Sequence, residues 1–181
     1  MSDIPSATPQ LDAAHILEVL VRHAVEFVVI GQYAAELRGA LLERRTQDID
    51  LTPAADRANM ARLSSALGEL DARVRAEDVA GGLAFSHDAR SLARADMWNL
   101  TCQWGEFDLS FRPSGTAGYR DLVTNSELLI VGAVEVSVAS LDDVIRSKEA
   151  AGRPKDLRVL PALRAVAERL RSARRDPQSR D

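Results

Sequence analysis

The sequence predicts a mixed α/β (α+β) fold, a mixed sheet flanked by helices with a helical C-terminal segment, on three observations. Phe27 to Ile30 is a short, continuously apolar run, as in a strand covered on both faces, and it breaks at Gly31. Asp48 to Leu51 and Glu106 to Phe111 alternate polar with apolar side chains at the two-residue period of a strand. Between and after these runs, apolar residues recur at the spacing of amphipathic helices.

Taken in order, residues 1–10 are polar, contain Pro and Ser, and are expected to be disordered. A first helix is expected over Leu11 to Ala24, with Ile16, Leu17 and Leu20 toward the sheet. Its His15 and His23 have no cysteine or carboxylate cluster nearby and read as surface or boundary positions. After the apolar strand, a helix over Gln32 to Leu42 is expected, weakened by Gly39, and then a basic loop, Arg44-Arg45-Thr46. Pro53 ends the acidic strand. Ala54 to Leu70 is a helix with Met60, Leu63, Ala66, Leu67 and Leu70 inside, and Gly81-Gly82 marks a turn.

Met97 to Gln103 and Glu106 to Phe111 pair as a hairpin through Trp104-Gly105. Leu128 to Val138, rich in Val and Ile, forms one or two strands around Gly132. Ser140 is placed to cap a helix, with Asp143 near its third position, that stops at Gly152. A last helix opens at Arg153-Pro154 and bends at Pro161, with Leu160, Leu163, Val166 and Leu170 inward. The expected organisation is one domain over 11–138, a C-terminal helical part over 139–175 that closes a cleft, and a disordered tail over 176–181.

At 181 residues and 46% hydrophobic content, the chain can bury a core without disulfides, and its single Cys102 cannot form an internal one. The net charge of −4 argues against a protein that coats nucleic acid, although the stretch from Arg153 onward is basic. Lys148 and Lys155 are the only lysines, against 21 arginines. No apolar run approaches the length of a membrane span, so a soluble, cytoplasmic protein with no membrane partner is expected.

The chemistry concentrates between Gly31 and Asp50. On a strand, Asp48 and Asp50 point the same way, and two adjacent carboxylates call for a compensating cation, for which a hard divalent ion, Mg2+ or Mn2+, is suited. The helix start at Gly31 offers unpaired N–H groups to a phosphate. Arg44 and Arg45 can contact that phosphate, neutralise the aspartates, or simply be solvated.

This order of apolar strand, glycine, helix, basic loop and acidic strand resembles the nucleotidyltransferase superfamily with the DNA polymerase beta type of fold. That superfamily's signature is hG(G/S) followed by DhD, h being apolar; Gln32 stands where Gly or Ser is usual. The Arg45 to Leu51 run is similar to the small bacterial members related to AbiEii and MenT toxins. The resemblance implies Asp108, in Phe107-Asp108-Leu109, as a third carboxylate, so that Asp48, Asp50 and Asp108 would hold the metal. Lys148 and Arg153-Pro154-Lys155-Asp156 match an apolar helix bearing a lysine and then RxKDxxD, the last acidic position falling on Val159.

By the same resemblance, Lys148 and Asp156 join the three aspartates in catalysis. Gly31, Gln32, Arg45, Thr46, Lys148, Arg153 and Lys155 surround an NTP. The implied reaction moves an NMP from NTP to an acceptor hydroxyl, releasing pyrophosphate. The 3′ end of a tRNA is the implied acceptor, in a toxin paired with an antitoxin protein. Two alternatives stand beside this: transfer to a protein or a small molecule, and a degenerate member that binds a nucleotide or a partner without catalysis.

Overall fold

A computed structural model describes residues 10–175; the expected lead-in, apart from Gln10, and the expected tail lie outside the described residues. The chain runs α1 (Ala13–Arg22), β1 (Phe27–Ile30), α2 (Gly31–Leu37), β2 (Asp48–Pro53), α3 (Arg57–Glu69), β3 (Arg73–Val74) and α4 (Ala89–Leu92). It continues through β4 (Met97–Cys102), β5 (Gly105–Ser110), α5 (Tyr119–Thr124), β6 (Glu127–Val131), β7 (Val134–Val138), α6 (Leu141–Ala151) and α7 (Pro154–Arg175). The strands form one mixed sheet in the order β3-β4-β5-β2-β1-β7-β6. β1 is antiparallel to β2 and parallel to β7, and β2 is parallel to β5.

β1 is buried along its whole length, as its apolar run requires of a strand flanked on both edges. Asn59 ties its approach to the exit of β2. The Asn59 side-chain amide donates to the carbonyls of Glu26 and Ala54 and accepts from the Glu26 N–H, so this fully buried polar group is satisfied.

Several helix boundaries differ from expectation because side-chain caps decide them. α1 begins at Ala13, since the Asp12 side chain accepts from the His15 N–H at 3.0 Å, and it ends before Ala24, whose φ is 55°. α2 stops at Leu37, not Leu42, because Gly39 at φ 85° leaves the right-handed helix. α3 begins at Arg57 behind an Asp56 cap. α7 continues through Pro161 as one helix, and Leu170, expected inward, is 38% exposed. β3, α4 and α5 were not expected; each is too short to show a period. Among the described residues, no helix is long and apolar enough to cross a membrane.

Candidate active site

β2 and β5 run side by side with Asp48 opposite Glu106 and Asp50 opposite Asp108. Alternate residues share a face, so these four carboxylates stand on one face in two adjacent rows. Ile49, Leu51, Phe107 and Leu109 point the other way and have no exposure at all. The alternation that builds the core also gathers the acids.

Across β2's other edge, Ile30 pairs with Asp50, which brings the turn at Gly31 against that carboxylate. A Cβ on Gly31 would stand 2.1 Å from Asp50 Oδ2, and its φ is +69°, so both contact and conformation demand glycine. The space left by the absent side chain is filled by Asp50. The Asp50 carboxyl is pushed up to about 7, first by burial, then by Asp48 and Asp108, with Lys148 and Lys155 opposing.

The neighbouring acids are engaged. Thr46 Oγ1 donates to Asp48 Oδ1 at 3.0 Å. Arg75 donates to both Glu106, at 2.5 Å, and Asp108. Burial raises Asp108, and Arg75 opposes that rise without cancelling it. The donor set on this face is all oxygen and short of positive charge, which fits a hard divalent ion at Asp48 and Asp50. Among the described residues, however, no three His, Cys, Asp or Glu side chains are gathered to hold a metal ion between them. Asp108 is held by Arg75.

The opposite wall comes from α6 and α7. Ser140 caps α6 by accepting from the Asp143 N–H at 3.0 Å, and Gly152, left-handed at φ 62°, ends it and turns the chain into α7. That turn brings together residues eight apart. Lys148 Nζ donates to Asp156 Oδ1 at 2.9 Å, and Arg153 Nε to Asp156 Oδ2 at 2.6 Å. Burial by itself would raise the Asp156 carboxyl, but the hydrogen bonds and charges of Lys148 and Arg153 outweigh it and hold it below the usual carboxylate range.

Gly31, Asp50, Lys148, Arg153 and Asp156 line one cavity of about 270 Å³ together with Ser110 and Arg112. Lys155 is exposed, and its charge still acts on Asp50. Arg45 and Thr46 border a separate groove of about 1050 Å³ with Tyr33, Glu36 and Trp104. Gln32 fastens the basic loop: its Nε2 donates to Glu36 Oε1 at 2.9 Å and to the Arg44 carbonyl at 2.6 Å, while the Thr46 N–H donates to the same Glu36 oxygen at 2.8 Å. Glu106, Ser110, Arg112 and Arg75 are additions to the sequence reading. The two-residue period already put Glu106 and Ser110 beside Asp108. Nothing local marks Arg75.

No protein-family model matches the chain, and no curated protein matches it in sequence. Solved structures do. The lincosamide antibiotic adenylyltransferase LnuA, with lincomycin bound, superposes with a TM-score of 0.56 at 10% identity, over 84% of this chain and 94% of that one. A Thermotoga maritima protein assigned as a nucleotidyltransferase gives 0.51 at 17% identity, over 81% and 86%. The fold is that of nucleotidyltransferases.

Proposed function

We propose that the protein is a metal-dependent nucleotidyltransferase that moves an NMP from an NTP to an acceptor hydroxyl and releases pyrophosphate. The observation that carries this reading is one cavity with Asp50, whose carboxyl Asp48 and Asp108 help to push up, on one wall and a Lys148–Asp156–Arg153 cluster on the other. Asp48 and Asp50 are the residues to hold Mg2+ or Mn2+, with Asp108 beside them. When bound, such an ion supplies activation of the attacking hydroxyl and polarisation of the α-phosphate. Lys148, Arg153, Lys155 and Arg112 meet the polyphosphate and offset the charge that develops on the leaving pyrophosphate. Asp156 holds Lys148 and Arg153 in place for this, one carboxylate oxygen to each.

For the acceptor, the exposed Arg158, Arg169 and Arg175 along α7, together with the resemblance to AbiEii and MenT toxins, support an RNA 3′ end such as that of tRNA. Under this reading a cognate antitoxin protein is the partner. Similarity in fold to LnuA favours a second reading, transfer to a hydroxyl of a small molecule. Incubation with each labelled NTP, Mg2+, and in turn total tRNA or a panel of hydroxyl-bearing antibiotics separates the two. Label on tRNA, lost in an Asp48→Ala, Asp50→Ala variant, supports the first; label on a small molecule supports the second. Absence of pyrophosphate release with every acceptor would overturn both.

A further inference from the structure

The acidic face carries a cation of its own. Arg75 follows the edge strand β3, and its backbone N–H donates to the Asn99 carbonyl at 2.8 Å, which lays it alongside β4. From there its side chain reaches across β4 to β5 and forks onto two carboxylates, Glu106 and Asp108, two residues apart on the same face. The Arg75 side chain is 24% exposed and that of Asp108 15%, so this is a contact largely withdrawn from water.

We propose that Arg75 is a positioning residue that competes with a divalent cation for Asp108. The inference rests on the metal-binding part of the proposed function and goes beyond it. Charge inventory supports it. Asp48, Asp50, Glu106 and Asp108 set four carboxylates on the face; Arg75 is bonded to two of them, Glu106 and Asp108, while Lys148 and Lys155 act on Asp50 from the other wall. One divalent ion brings such a face near balance while Arg75 stays in place. Access of an ion to Asp108 then requires the guanidinium to yield one of its two partners, and Glu106 is the one on which it can remain. Asp108 therefore serves as a ligand held in reserve.

The test is titration of the nucleotide-free protein with Mn2+ alone, free ion being followed by its paramagnetic resonance signal. Arg75→Gln is expected to bind Mn2+ about tenfold more tightly than the wild type. Arg75→Lys keeps a charge but cannot fork onto both carboxylates, so a gain of about threefold is expected, and this variant carries the test should Arg75→Gln fail to fold. In an Asp108→Asn background the gain from Arg75→Gln is expected to vanish; a purely long-range charge effect would leave it intact. Equal or weaker Mn2+ binding by both Arg75 variants, or a gain that survives Asp108→Asn, would overturn the proposal. If the wild type and Arg75→Gln alike bind no Mn2+, the metal reading itself falls and the proposal with it.

Discussion

Asp50 and Asp156 face one cavity from opposite walls, and they are treated in opposite ways. Asp156 is almost fully buried but takes a hydrogen bond from a cation on each oxygen, so its carboxyl lies below the usual range. Asp50 has two carboxylates for neighbours, and its carboxyl rises to about 7. Burial pushes both upward; the partners decide the outcome. On the α6–α7 wall the charge is settled within the protein. On the sheet wall Lys148 and Lys155 offset it only in part, and incompletely compensated charge in a cleft is where binding chemistry is to be sought.

The largest expected effect breaks the comparison on the sheet side. Under the proposed function, Asp50→Asn is expected to lower nucleotidyl transfer by roughly 10³-fold or more, since it removes a carboxylate proposed to hold the metal and with it transition-state stabilisation. The same variant, free of metal at pH 8, is expected to melt about 5 °C above the wild type because a strained charge is gone. Loss of activity joined to gain of stability is the signature, and scanning calorimetry beside a pyrophosphate assay reads both.

Asp156→Asn is expected to do the reverse on stability. It leaves Lys148 and Arg153 without their shared anion, at a cost of about 3 kcal/mol, or a melting temperature lower by about 8 °C. An unchanged melting temperature would mean that the two cations find other partners.

Gly31→Ala probes the seam between β1 and Asp50. A methyl group at 2.1 Å from Asp50 Oδ2, on a backbone at φ +69°, is expected to cost about 2 kcal/mol and to displace the carboxylate, visible as reduced stability and reduced turnover together.

The pH dependence sharpens the contrast. Asp50, with a folded value of about 7 against an ordinary value of 3.8, contributes its full relative stability below about pH 4 and loses it as pH rises through about 7. Asp156 is depressed, so its contribution is present above the usual carboxylate range and is lost as pH falls through its folded value. Metal-free melting curves from pH 3 to 8 are therefore expected to show the gap between Asp50→Asn and wild type widening from pH 4 to 7. The gap between Asp156→Asn and wild type closes only at the acid end.

The smallest effect is expected at Gln32→Ala, which frees the 38–47 loop from one of its pins at a cost under about 1 kcal/mol. Faster cleavage of that loop in limited proteolysis checks it.

Much of this was legible beforehand for local reasons. The continuous apolar run of β1, the alternation in β2 and β5, the Ser140 cap and the Gly152 stop are each written within a few residues, because strand period and helix capping act over one turn or one pleat. Asp48 and Asp50 had to share a face by the same rule. β3, at two residues, and α4, at four, exist through the elements they lie against, and no local pattern announces them. Gln32 reads in the sequence as a position beside the nucleotide, while in the fold it is occupied with Glu36 and the Arg44 carbonyl.

What the sequence by itself determined is which residues carry charge and which face of its own strand each occupies. Tertiary structure alone decided which charges meet: the parallel register that sets Asp50 against Asp108, the reach of Arg75 across a strand, and the α6–α7 turn that gives Lys148 to Asp156. The physical reason is range. Side-chain direction follows from neighbouring dihedrals, whereas a carboxyl's ionisation follows from whatever burial and charge the folded chain brings within a few ångström of it.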